Sequence, residues 1–260
     1  MIIGAPYDGT STFRKGSREA PAAIRWASES IETYSPTLRR DLDDLALADP
    51  GDLDLDGCSC EEAVERVRNA VTGLSGFPLM LGGEHTLTVG AVEAALTRHP
   101  DLALIVLDAH LDLRNHYEGN AWSHATTVSR ILDRIPPDRI AILGARSGTR
   151  DEWAKAETLL VVSRNGAIDA RAWLALSGRP LYLTVDIDAF DPSIAPGTGN
   201  PEPLGLTVDD FVTLLSLLRE RTVVGADVVE VSPVYDPSGR TAILAAWLVR
   251  EMLLACCHDD

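Results

Sequence analysis

Leu102-Ala103-Leu104-Ile105-Val106-Leu107-Asp108-Ala109-His110-Leu111-Asp112 decides how the chain is read. An unalternated aliphatic run, Leu102 to Leu107, stops abruptly at Asp108, His110 and Asp112. A short run of this kind suits a strand buried on both faces of a parallel sheet, and a buried helical segment has the same pattern. As a strand, it places its polar residues at the carboxyl end, where open α/β sheets hold ligands. Two carboxylates and an imidazole packed so closely would repel one another or take up protons. A bound cation removes the conflict, because it favours the ionised carboxylate and the neutral imidazole.

The pattern recurs. Thr184-Val185-Asp186-Ile187-Asp188 follows the apolar run Pro180 to Val185, and Met80-Leu81-Gly82-Gly83-Glu84-His85 closes another. Together these strand ends carry His85, Asp108, His110, Asp112, Asp186 and Asp188, which are taken as one site. Any of these carboxylates alone reads as a turn or cap residue. The set does not, since such groups are rarely buried unpaired. Gly82-Gly83 is either a simple turn or a place where backbone passes close to the site.

Outward from this core, strands alternate with helices. Strands are expected at 1–5, 77–81, 102–107, 140–144, 159–162, 181–185 and 223–231, the last carrying Glu230. Helices are expected at 19–31, 61–74, 86–98, 125–134, 150–157, 168–176, 207–218 and 238–257. Ser123 and Thr207 are candidate N-caps. The alternation predicts an α/β fold with three α/β/α layers around a central, mostly parallel sheet. Lacking a linker, low-complexity tract or internal repeat, residues 1–260 read as a single domain.

The net charge is −16, from 39 acidic and 23 basic residues, and only Lys15 and Lys155 are lysines. Such a surface argues against a nucleic-acid partner and favours cations, as metal or as substrate. It also fits adaptation to a salty, halophilic cytoplasm, where salt screens carboxylate repulsion. No apolar run is long enough for a membrane span, and Met1 to Pro6 lacks the features of a signal peptide. Cys58, Cys60, Cys256 and Cys257 form no disulfide framework, so a reducing, cytoplasmic location is expected.

Four carboxylates and two imidazoles exceed the needs of one Mg²⁺ and suffice for two bridged divalent ions. Mixed oxygen and nitrogen donors admit Mn²⁺, Fe²⁺, Co²⁺ or Zn²⁺, and the oxygen majority leans to Mn²⁺. Such a pair lowers the pKa of a bridging water and suits hydrolysis.

At this point the sequence resembles the ureohydrolase family of arginases and agmatinases. The resemblance rests on Gly82-Gly83-Glu84-His85, Asp108-Ala109-His110-Leu111-Asp112, Ser123-His124, Asp186-Ile187-Asp188-Ala189-Phe190-Asp191-Pro192 and Glu230-Val231-Ser232-Pro233. Gly4-Ala5-Pro6-Tyr7-Asp8-Gly9 and Pro196-Gly197-Thr198-Gly199-Asn200-Pro201-Glu202-Pro203 extend it over nearly the whole chain. It implies a centre of two Mn²⁺. His85, Asp108, Asp112 and Asp186 would hold one ion, and Asp108, His110, Asp186 and Asp188 the other. It further implies Glu230 as the guanidinium partner, His124 as the proton relay, Asp112 as a catalytic residue besides its metal role, and hydroxide attack releasing urea. By the same resemblance the substrate is a small cationic guanidino amine and the assembly a homo-oligomer, trimer or hexamer.

The chain departs from the family pattern at Ala125, where Gly is common, and at Arg114, where arginases often have Asn. The Pro196–Pro203 segment is most like the agmatinase branch, whose products feed polyamine biosynthesis. Agmatine or aminopropylagmatine is therefore expected over arginine. A carboxylated substrate, as in arginases or formiminoglutamate hydrolases, is the alternative, because a pocket-facing Arg114 would bind a carboxylate. An inactive metal-binding assembly protein is a third reading, disfavoured because every motif position is filled. Glu118, Asp151 and Glu152 are expected to be surface acids with some reach to the site mouth, and His99, His116 and His258 surface residues.

Overall fold

The computed structural model describes residues 1–257; His258 lies outside the described residues. In chain order the elements are β1 (Ile2–Ala5), α1 (Ala20–Ser28), β2 (Tyr34–Ser35), β3 (Arg40–Asp41), α2 (Cys60–Gly73), β4 (Leu79–Gly82), α3 (Thr88–Arg98) and β5 (Ala103–Leu107). They continue with α4 (Thr127–Ile131), β6 (Ile140–Leu143), α5 (Arg150–Ala156), β7 (Val161–Ser163), α6 (Ala170–Ala175), β8 (Leu181–Asp186), α7 (Val208–Leu218), β9 (Val223–Val229) and α8 (Arg240–Cys256).

Seven strands form one sheet in the order β1-β4-β9-β8-β5-β6-β7, and every neighbouring pair is parallel. The expected sheet was mostly parallel; this one is wholly so. Alternate side chains enter opposite layers, as the period of a strand requires. Leu79, Leu81, Ile105 and Leu183 pack into a core shared with α1, α7 and α8. Met80, Leu104, Val106 and Tyr182 pack into a second core with α2, α3 and α4. Both faces of each central strand are thus apolar, which is why their sequences show no alternation.

Helix starts follow local chemistry. Ser59 and Glu62 form a capping box on α2, and Thr207 and Asp210 one on α7, as the candidate Thr207 cap requires. Ser123 also caps, but of a 3₁₀ turn at His124–Thr126 that precedes a shorter α4 than 125–134 implied. The strand expected to run through Val231 ends at Val229, so Glu230 stands just beyond it. The β2–β3 hairpin is additional. Ser35 on it donates to Glu251 of α8 at 2.7 Å, and Arg250 pairs with the same carboxylate at 2.6 Å. That network satisfies the charges of a helix otherwise buried on most sides.

The chain crosses over twice, from β4 to β5 and from β7 back to β8. Four adjacent strands, β4, β9, β8 and β5, therefore present their carboxyl ends side by side. Among the described residues no helix is long and apolar enough to cross a membrane.

Candidate metal centre and pocket

All six clustered residues leave the carboxyl ends of β4, β5 and β8. His85 opens a 3₁₀ turn after β4, Asp108 to Asp112 follow β5, and Asp186 and Asp188 end β8. His85 Nδ1 lies 3.1 Å from Asp108 Oδ2, 3.1 Å from Asp112 Oδ2 and 3.5 Å from Asp186 Oδ2. His110 Nδ1 lies 2.9 Å from Asp188 Oδ2 and 3.6 Å from Asp108 Oδ1. The two oxygens of Asp108 thus face two separate donor groups, His85–Asp108–Asp112 and Asp108–His110–Asp188, each compact enough to hold a metal ion.

Backbone geometry fixes this arrangement. Asp108 Oδ1 accepts from His110 N at 2.6 Å, and Asp186 Oδ1 from Asp188 N at 2.9 Å. Each Asp-x-His or Asp-x-Asp unit is therefore a turn that aims its second carboxylate oxygen inward. Asp112 holds left-handed backbone at φ 50°. Gly83 runs so close to Tyr7 that an added Cβ would collide with the Tyr7 carbonyl, so the close-approach reading of the glycine pair is the correct one.

The electrostatics demand a cation. Burial and the charge of Asp108 push Asp112 up to about 7. Burial, then the charges of Asp188, Asp108 and Glu230, raise Asp186. Burial works against a charged His110, but Asp188 and Asp108 overcome it and hold the ring up to about 12. His85 Nδ1 and Asp108 Oδ2 are both buried and lack any hydrogen-bond partner. A lone pair and a carboxylate oxygen left so are costly unless a metal accepts them. The donor set fits a divalent transition ion.

Beside the cluster lies a cavity of about 300 Å³, lined among others by Glu230, His124, Arg114, Tyr117, Glu152 and Asn200. Glu230 is 6% exposed and sits at φ 61°. Its Oε1 accepts from His85 N at 2.7 Å. Burial, then the charge of Glu84, pushes its carboxyl up to about 8. His124 faces the same cavity, its ring edge-on to Tyr117 at 5.6 Å. Burial lowers its pKa and Glu84 partly opposes that.

Several residues of the site were not anticipated. Glu84 is wholly buried and accepts from Thr10 N at 2.7 Å and Thr10 Oγ1 at 2.6 Å, and Thr10 Oγ1 in turn accepts from His124 N at 3.1 Å. Arg146 donates to the carbonyls of Asp188, Glu202 and Pro203 at 2.7, 2.8 and 3.0 Å, tying the β8 loop to the proline-rich loop. Glu84 stands in the Gly82-Gly83-Glu84-His85 motif but had no role assigned, and Arg146 carries no sequence signal, because the partners of both are distant in the chain.

Glu152 requires correction: it is 5% exposed, not a surface acid. It caps α5, accepting from Thr149 N at 2.9 Å and from Leu113 N at 3.2 Å. The Thr149-Arg150-Asp151-Glu152 spacing is a capping-box signature that identifies it. Arg114 Nε pairs with Glu152 at 3.2 Å and its guanidinium lies over the Tyr117 ring at 4.7 Å. Asp151, Glu118 and His116 are exposed as expected, whereas His99 is half-buried.

Comparison with known proteins agrees with this geometry. Residues 1–255 match the Arginase family. An agmatinase of Bacillus cereus is 40% identical over 262 residues, covering 98% of this chain and 90% of the relative. The N(1)-aminopropylagmatine ureohydrolase of Thermococcus kodakarensis is 36% identical over 254 residues, covering 93% and 86%. The agmatine ureohydrolase structure from Thermoplasma volcanium superposes with a TM-score of 0.86 at 34% identity, covering 98% of this chain and 88% of that one. The chain belongs to the arginase family and is a hydrolase of amidine carbon–nitrogen bonds.

Proposed function

We propose that this protein hydrolyses a guanidino amine, agmatine or an aminopropyl-extended agmatine, to urea and the corresponding amine. In this reading residues 1–260 act as one arginase-like domain, and the assembly is a homo-oligomer, trimer or hexamer, in the cytoplasm. His85, Asp108, Asp112, Asp186, His110 and Asp188 would hold two Mn²⁺. Bound divalent ions would supply Lewis acidity and bring the pKa of a water towards neutrality.

The protein's own groups do the rest. Glu230 meets the substrate's planar, forked cation, and pairing with it favours the ionised carboxylate that burial disfavours. His124 is held neutral by burial and can take a proton and return it to the leaving amine. Asp112 orients the attacking water by accepting its hydrogen bond.

The observation that carries the substrate assignment is the state of Arg114. Among the described residues it is the only Lys or Arg lining the cavity, and Glu152 and Tyr117 already engage it. A substrate carboxylate would find no free cation, whereas a cationic tail enters an acidic mouth. One observation favours the alternative: Arg114 keeps 36% side-chain exposure and could turn towards a carboxylate.

Urea release from agmatine, aminopropylagmatine, arginine and guanidinobutyrate, with formamide release from formiminoglutamate, decides between them. kcat/KM for agmatine or its aminopropyl derivative should exceed that for arginine by at least ~10²-fold, about 2.7 kcal/mol of differential transition-state binding. A preference for any carboxylated substrate would overturn the assignment, and absence of urea or formamide from every substrate would support an inactive relative.

A further inference from the structure

Asp227 lies in the middle of β9, in the centre of the sheet, with no exposure to solvent. A carboxylate there needs a reason. Parallel pairing sets it directly opposite Thr184 of β8, and Tyr182 shares the same strand face two residues earlier. Tyr182 Oη donates to Asp227 Oδ2 at 2.9 Å, and Thr184 Oγ1 donates to Asp227 Oδ1 at 2.5 Å. Thr184 Oγ1 is also 3.2 Å from His85 Nε2.

These contacts fix the direction of each hydrogen bond. A hydroxyl has one proton. Thr184 spends its proton on Asp227, so towards His85 it can only accept. With Asp227 ionised, a neutral His85 must then carry its proton on Nε2 and keep the Nδ1 lone pair, which faces Asp108 and Asp112 at 3.1 Å each. We propose that Asp227 is a positioning residue that acts through Thr184 to lock His85 in its metal-binding tautomer and orientation. The inference rests on the proposed metal centre. Partners of this kind commonly carry a tenfold to hundredfold share of metal affinity.

The test is titration of chelator-treated protein with Mn²⁺ alone, followed by calorimetry, with Tm measured in parallel. Asp227→Asn replaces one acceptor oxygen with an amide and should weaken Mn²⁺ binding by about 10–100-fold. Thr184→Val should do the same, and Thr184→Ser, which keeps the hydroxyl, should restore affinity. The double variant should be no worse than the weaker single one, because both remove one chain of contacts. Tyr182→Phe takes away a second bond to Asp227 without touching His85. It should lower Tm and leave affinity within about twofold, since only a buried hydrogen bond is lost.

Wild-type affinity in Asp227→Asn, or an equal loss in Tyr182→Phe, would overturn the proposal and assign Asp227 to packing alone. If Asp227→Asn does not fold, the Thr184 pair decides: loss in both Val and Ser, or in neither, overturns it. Should the parent protein itself bind no Mn²⁺, the metal reading fails, which is a separate result from a well-bound parent and an unaffected variant.

Discussion

Glu230 and Asp112 both hold left-handed backbone, at φ 61° and 50°. For residues with a Cβ this costs about 1–3 kcal/mol and persists only where surroundings impose it. At Glu230 they do: its N–H donates to Gly83 O at 2.8 Å while its carboxylate takes the His85 N–H. The turn out of β9 therefore aims the side chain back over the cluster. In the proposed scheme Asp186 and Glu230 have different tasks, and two isosteric changes separate them. Asp186→Asn should remove activity together with bound metal, because in that scheme Asp186 is shared by both ions. Glu230→Gln should keep metal and lose most turnover. Metal analysis beside kcat/KM decides: a fully loaded, active Asp186→Asn sinks the first assignment, and a metal-poor Glu230→Gln makes Glu230 a ligand.

His124 gives the pH dependence. Its folded pKa lies below the ordinary 6.5 because burial disfavours the charged ring, so at pH 7 it is a neutral proton acceptor. As pH falls through the lowered pKa that form is lost. The acidic limb of kcat/KM should therefore fall below pH 6.5, measured at saturating metal. Divalent ions nearby would push it the same way. A limb centred above 7 contradicts the role.

At the scale of elements, α5 ties the stability of the fold to specificity. Glu152 accepts bonds from Thr149, Leu113 and Arg114. Glu152→Ala would leave buried donors unpaired, costing about 2 kcal/mol, or roughly 4–8 °C in Tm for a chain of this size. It would also release Arg114. The ratio of kcat/KM for agmatine over arginine should then fall, and an unchanged ratio would show that the Arg114–Glu152 pair does not exclude carboxylates. The elements themselves were largely legible. Buried parallel strands are aliphatic runs that end where polar side chains reach the ligand edge, and Leu102–Asp112 reports both facts at once. The ends were less so: β9 stops before Glu230, and α4 is cut to five residues by the 3₁₀ turn ahead of it. β2 and β3, two residues each, are too short for any period to show. Asp227 and Arg146 escaped notice, and Glu84 was read only as part of a motif, because each draws its meaning from partners on other strands and loops.

At the scale of the whole molecule, 39 acids against 23 bases leave an excess of 16 negative charges. Among the described residues many of these acids, Asp108, Asp186, Asp188 and Glu230 among them, are buried in and around the candidate site; the rest of the excess lies at the surface. Part of it is paired, as where Arg25 meets Asp49 at 2.7 Å and Asp52 at 2.5 Å. Asp43 and Asp44 are exposed, and no ion pair among the described residues reaches either. Self-repulsion of this kind favours the expanded chain. Its range shrinks from about 10 Å at 0.1 M salt to about 3 Å at 1 M. Halophilic behaviour, as proposed from the acidic composition, would therefore appear as a melting temperature that rises from dilute buffer to molar KCl. Salt also alters apolar hydration, so a charge control is needed. Replacing Asp43 and Asp44 by Asn removes repulsion while burying nothing new, and should raise Tm in dilute buffer and flatten its rise with KCl. A Tm that falls steadily with KCl, or a rise whose slope the two substitutions leave untouched, would mean that the acidic surface is not a response to salt.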